Sequence, residues 1–191
     1  MEVREVRDDE ATQAGELVVA AYRAVAGTPP VADDGYAAEL RAVAERARVA
    51  VVLVALDDSG DGADPRSVMG AGQADGPTWP RPVLGCVTYV PDDASPLAEH
   101  LRPGEVSMRM LAVAPAAQGR GVGRALVDAC VDRARGAGKE RLVLHSGAWM
   151  HDAHRLYAAA GFRRVPERDW VPEPDIPLLA FALDLGAHPD R

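Results

Sequence analysis

The stretch Met110-Leu-Ala-Val-Ala-Pro-Ala-Ala-Gln-Gly-Arg-Gly-Val-Gly-Arg-Ala-Leu-Val127 constrains this chain more than any other. An apolar, strand-like run ends at Pro115, a glycine-rich turn follows, and Val122 onward reads as an amphipathic helix. Such a turn aims several backbone N–H groups at one point, with the positive end of a helix dipole behind them. That combination is a seat for phosphate.

Two common phosphate loops do not fit the spacing. Gly119-x-Gly121-x-Gly123 misses the GxGxxG pattern of dinucleotide sites. The acidic residue that would bind a ribose should close the next strand, yet the apolar run from Arg141 ends in His145-Ser146 and Glu140 lies at its start. The Gly-Lys-Ser/Thr of a nucleotide triphosphate loop is absent. Gln118, Arg120 and Arg124 add side-chain donors beyond what a bare strand–helix turn requires. A second segment of interest follows: Ala153-His-Arg-Leu-Tyr157-Ala-Ala-Ala-Gly161-Phe162.

At 191 residues the chain suits one domain with its own core, and a 48% hydrophobic fraction supports a globular fold. Its apolar runs are too short to cross a membrane. The charged start, Met1 to Glu10, contains no apolar leader segment, and Cys86 and Cys130 stand far apart in apolar surroundings, so reduced core thiols and a cytoplasmic location are expected. Net charge is −8 and no Lys/Arg cluster resembles a nucleic-acid footprint, which argues against polyanionic partners. His151 and His154 lie three apart without a carboxylate to complete a metal set, so no metal is expected.

Hydrophobic spacing predicts strands over Val3–Arg7, Val49–Leu56, Val83–Val90, Glu105–Ala114, Arg141–Ser146, Phe162–Val165 and Leu178–Leu185. Helices are predicted over Ala11–Ala26, with Thr12 as a possible cap, and over Tyr36–Arg48, Val122–Ala137 and His151–Ala160. Gly161 stands where a helix-ending left-handed turn is needed. Residues 57–82 form an acidic, glycine-rich stretch longer than ordinary connections, expected to be a flexible excursion or a lid. Pro166 to Pro177 is a proline-punctuated loop, within which Arg168-Asp169-Trp170 looks exposed and suited to substrate or dimer contact.

Gln118-x-x-Gly121-x-Gly123 resembles the pyrophosphate loop of the GCN5-related N-acetyltransferases, and the segment around Tyr157 is similar to that family's second signature. The resemblance implies a single α/β domain over residues 1–191. Its sheet would be mixed and mostly antiparallel, with helices on both faces and a splayed parallel strand pair. Acetyl-CoA is the implied acyl donor, with an amine acceptor, no nucleic acid, and a monomeric or homodimeric state. Amides of Gly119, Arg120, Gly121, Val122, Gly123 and Arg124 would hold the pyrophosphate beside Gln118, with Arg120 and Arg124 pairing with phosphates. The backbone of Leu111, Ala112 and Val113 would pair with the pantetheine arm, and the amide near Leu111 would face the thioester oxygen.

Tyr157 matches the family's tyrosine near the sulfur, a general acid, while Met150 departs from the asparagine that relatives often carry there. Simple alternation places Glu105, Ser107, Arg109, Leu111 and Val113 on one strand face. The base is open between Glu105, His145 and an ordered water. Tyr22, Tyr36, Trp149 and Trp170 are candidates to line the acceptor pocket. A catalytically weak acyl-CoA-binding sensor with the same fold is the alternative reading.

Overall fold

The computed structural model describes residues 1–25, 34–57 and 81–186. Seven strands form one sheet: β1 (Glu2–Glu5), β2 (Val51–Leu56), β3 (Val83–Val90), β4 (Glu105–Val113), β5 (Arg141–Gly147), β6 (Arg163–Arg164) and β7 (Leu178–Asp184). Their spatial order is β1-β2-β3-β4-β5-β7-β6, antiparallel except for the β4–β5 pair. Helices α1 (Ala11–Ala24), α2 (Asp34–Arg41) and α3 (Val43–Arg46) precede β2, α4 (Val122–Gly136) joins β4 to β5, and α5 (His151–Ala159) follows β5. The expected mixed sheet and the order of elements are those observed. The stretch expected over 57–82 lies outside the described residues except for its ends, where the Asp57 amide donates to the Pro82 carbonyl.

β3 is the hub of the core. Every residue of Val83–Val90 is buried, because helices cover both faces of the sheet there. The approach of α4 is close: a Cβ added at Gly85 would meet Val122 Cγ1 at 2.8 Å and Leu126 Cδ1 at 2.9 Å. Glycine at this position lets the helix that begins at the phosphate-like turn lie directly on the strand.

Two expected details differ. Thr12 is not the cap of α1. Glu10 occupies that place, its carboxylate held by Arg4 and by the Arg7 amide. The helix expected over Tyr36–Arg48 is broken at Ala42 into α2 and α3. The break turns Arg46 inward, 4% exposed, where it donates to the Glu39 and Leu40 carbonyls at the end of α2 and to Thr88 Oγ1. A buried guanidinium thus meets carbonyls of the last turn of α2 and pins α2 to β3.

Candidate active site

β4 and β5 pair only at Glu105↔Arg141, Val106↔Leu142 and Ser107↔Val143, although β4 continues to Val113 and β5 to Gly147. Beyond Ser107 the two strands part, so the β5-facing edge of β4 from Met108 onward has no strand partner. β5 keeps its other edge fully paired with β7, down to Gly147↔Leu178. The result is a V-shaped opening in the middle of the sheet, lined by unpaired backbone on the β4 side.

A bulge shapes the β4 wall. Thr88 pairs with Arg109 but Cys86 pairs with Ala112, so β4 carries one extra residue there, and Met110 takes a left-handed φ of 52°. Cys86 and Thr88 stand on one face of β3, so Arg109 and Ala112 share a face of β4. This overturns the simple alternation: Leu111 and Val113 lie on the face opposite Ser107 and Arg109. A non-glycine residue in the left-handed region is uncommon and costs about 1–3 kcal/mol, held in place by its surroundings.

At the end of β4 the chain turns through a short 3-10 segment, Pro115–Ala117, into α4. Gly119 and Gly121 have φ of 75° and 80°, and a Cβ added to either would meet nothing within 4 Å, so the concave side of the turn is open. Gly121 is the helix N-cap and no side chain caps it. The amides of Gln118 and Arg120 donate weakly to Pro115 and Ala117 carbonyls at 3.3 and 3.4 Å. Those of Gly119, Gly121, Val122, Gly123 and Arg124 donate to no described residue. An uncapped helix start with free N–H groups and room before it suits a diphosphate. The Arg120 amide, expected in the cradle, is instead part of the turn. The Arg120 side chain reaches Asp57 at 3.2 Å, and Arg124 Nε donates to both Asp128 carboxylate oxygens while its Nη1 donates to the Ala159 carbonyl. Gln118 is exposed at the rim.

A cleft of about 320 Å³ enters the opening. Met108, Arg109 and Met110 of β4 and Leu144, His145 and Gly147 of β5 line it, all beyond the last paired position. Tyr22 from α1, Tyr36 and Glu39 from α2, and Trp149, Trp170, Glu173 and Ile176 from later segments complete the wall. All four aromatics expected around the acceptor are therefore in place around one space. Trp149 depends on its neighbour, since a Cβ at Gly147 would lie 2.5 Å from the indole. Tyr36 packs edge-on to Tyr22 at 6.4 Å, and Arg109 is neutralised by Glu99 at 2.8 Å.

The two side chains considered for the base both touch Arg168 but differ in their access to the cleft. His145 lines the cleft. Its Nε2 lies 3.2 Å from the Arg168 carbonyl, and Trp170 and His100 stand edge-on to its ring. Burial holds its pKa below the ordinary 6.5, although the Arg168 carbonyl pulls the other way. The neutral ring donates from Nε2 to that carbonyl, which leaves the Nδ1 lone pair as its acceptor. Glu105 does not line the cleft. It accepts from both Arg168 guanidinium nitrogens, at 2.7 and 2.9 Å, and from the Arg102 amide. Burial alone would raise its carboxyl, but the Arg168 and Arg102 bonds hold it below the ordinary value.

Arg168 is the residue that sequence reasoning misplaced. It is 9% exposed, not surface-facing, and also donates to the His100 carbonyl at 2.6 Å. Asp169 is taken up by Arg164 and the Ala180 amide. Only Trp170 of that trio turns to the cleft. Tyr157, on α5, is 6% exposed between Phe162 and Phe181, and no hydrogen bond from a described residue engages its hydroxyl. Burial raises its pKa. Met150 lines the cleft beside Ser146, whose hydroxyl donates to its sulfur at 3.6 Å. Among the described residues no His, Cys, Asp or Glu group is placed to hold a metal, and no helix is long and apolar enough to cross a membrane.

The site thus combines a strand pair opened in mid-sheet with a glycine turn and an uncapped helix start. The model of the acetyltransferase (GNAT) family matches residues 35–162, more than half of the chain, and the chain belongs to that family. Among solved structures, a GNAT-family acetyltransferase from Staphylococcus aureus Mu50 aligns with a TM-score of 0.68 at 11% identity, covering 97% of this chain and 99% of that one. The protein yncA from Salmonella typhimurium, solved with its cofactor acetyl-CoA, aligns at 0.59 and 21% identity over 100% and 97%. A ribosomal-protein-alanine N-acetyltransferase from Brucella melitensis aligns at 0.60 and 18% identity over 96% and 99%. None of the curated proteins matches the chain.

Proposed function

We propose that this protein transfers an acetyl group from acetyl-CoA to a primary amine by direct attack on the thioester. One observation carries the reading: the free amides of the turn stand at the end of the strand whose unpaired edge also lines the acceptor cleft. In this reading donor and acceptor approach each other along one strand. The amides of Gly119, Gly121, Val122, Gly123 and Arg124 are assigned to the pyrophosphate, with Gln118, Arg120 and Arg124 side chains at its rim. The unpaired edge through Leu111, Ala112 and Val113 is assigned to the pantetheine arm, added as a further strand. The N–H near Leu111, beside the strained Met110, is assigned to the developing oxyanion, a donor worth about 3 kcal/mol in such a place.

In the reaction the amine nitrogen forms a bond to the acetyl carbon, the carbon–sulfur bond breaks, and the nitrogen's proton is lost. His145 is the base we assign. It lines the cleft, is neutral at physiological pH, and has its other nitrogen committed to the Arg168 carbonyl. Glu105, with both oxygens engaged, is assigned instead to holding Arg168 and through it the ring of His145. Tyr157 is assigned as the acid that protonates the departing thiolate. Burial raises the phenol, so Tyr157 carries the proton it would hand to the departing thiolate.

Calorimetric titration with acetyl-CoA, using NAD as comparator, tests the donor site, and CoA release over an amine panel tests transfer. Saturable acetyl-CoA binding with amine-dependent CoA release supports the proposal. Binding without release from any amine would favour the acyl-CoA sensor reading. No binding would refute both.

A further inference from the structure

The cleft holds more negative charge than the reaction needs. Of the chain's three tryptophans and four tyrosines, two of each line this one space, so aromatic surface is concentrated where the acceptor enters. Three glutamates line it too, and they are not equivalent. Glu99 is neutralised by Arg109. Glu39 of α2 and Glu173 of the segment before β7 have no ion-pair partner among the described residues, and both are exposed at the rim. Arg46, packed under the end of α2, donates to the Glu39 and Leu40 backbone carbonyls and Thr88 and forms no ion pair with the Glu39 carboxylate.

Carboxylates near the reacting nitrogen would hinder transfer, because they stabilise its ammonium form and withhold the lone pair. They help only when the charge they hold is not on the nucleophile. Aromatic walls with carboxylates are also the surroundings in which organic cations bind well, through ring faces and ion pairing together. A zwitterionic or anionic acceptor meets the opposite conditions, since its carboxylate would face Glu39 and Glu173.

We infer that the acceptor is a small amine bearing a second cationic group, which Glu39 and Glu173 hold against Tyr22, Tyr36, Trp149 and Trp170 while the reacting amine meets His145. This rests on the acetyl-transfer reading above. Glu39 and Glu173 are specificity residues, and neither belongs to the donor site or to the chemistry.

The test compares putrescine, n-butylamine and γ-aminobutyrate, which share a chain and a reacting amine but end in a cation, a methyl group or a carboxylate. The expected order of kcat/KM is putrescine, then butylamine, then γ-aminobutyrate. The Glu39→Gln/Glu173→Gln double variant should remove most of the putrescine advantage, about fivefold for each rim carboxylate, and leave butylamine and acetyl-CoA affinity unchanged. Raising salt should weaken putrescine selectively, as expected for exposed charges. Equal use of all three amines, or a double variant that lowers them alike, would overturn the inference. Should no amine release CoA, putrescine is titrated into the CoA-loaded protein. Saturable binding lost in the double variant sustains the cation site while transfer fails, and absence of binding overturns the inference itself.

Discussion

Replacing Glu105 by glutamine separates two roles that are easily confused. Glu105 and Arg168 side chains are 7% and 5% exposed, and the guanidinium grips both carboxylate oxygens. Removing one charge from a buried pair typically costs about 3–5 kcal/mol, since the other charge stays buried without its partner. The low end applies here: the glutamine oxygen still accepts one bond, and the His100 carbonyl still serves Arg168. A loss near 3 kcal/mol lowers Tm by roughly 6–12 °C in a chain of this size. Turnover measured well below Tm should then fall only about threefold, whereas loss of a general base costs on the order of 10²–10⁴ in kcat.

The stability difference should also depend on pH in a defined direction. The folded-state pKa of Glu105 is depressed, so its contribution is fully present above the ordinary value of 4.5 and disappears as pH falls through the folded value. Wild-type and Glu105→Gln unfolding temperatures should converge in acid and diverge above about pH 5. Differential scanning calorimetry across pH, with kcat at a fixed low temperature, gives both readouts. An unshifted Tm with kcat reduced a hundredfold or more would refute the assignment of Glu105 to holding Arg168 and favour it as the base.

The remaining predictions concern the proposed chemistry and the donor site. His145→Gln should lower kcat by about 10²-fold with little change in acetyl-CoA affinity. In the wild type, kcat at saturating amine should fall in acid through an ionisation below 6.5 that His145→Gln removes, because burial keeps the imidazole neutral to lower pH; the same acid limb in the variant would argue against His145. Tyr157→Phe should reduce kcat while CoA affinity measured by calorimetry stays within about twofold, and unaltered turnover would sink the acid assignment. Gly121→Asp has room for its side chain but places it at φ 80° beside the free amides. It should abolish acetyl-CoA binding for a stability loss of about 1 kcal/mol, and retained affinity would show that the turn holds no phosphate.

Much of this molecule can be read locally. Gly161 stands where a helix needs a left-handed ending and has that backbone, because glycine takes it without the penalty of a Cβ. The apolar runs at Val51–Leu56 and Val83–Val90 are strands for a reason equally local: they are short, β-rich and bounded by turn residues. The strand, glycine turn and helix between Met110 and Val127 follow from their own order.

What no local pattern carries is where distant segments meet. The bulge at Met110 exists because β4 must follow the register of β3, and it moves Leu111 and Val113 to the face opposite the one alternation assigns. Arg168 looks like a surface arginine until β7 brings its loop against Glu105, 63 residues away, where both charges are buried together. Likewise Tyr22, Tyr36, Trp149 and Trp170 are ordinary aromatics in their own segments, and only packing around the opened strand pair turns them toward one cleft. Turn chemistry depends on residues a few positions apart, so the chain's order alone determined the donor-type turn. Burial, ion pairing and pocket shape depend on contacts between segments far apart in the chain, so the acceptor side was decided by the tertiary structure.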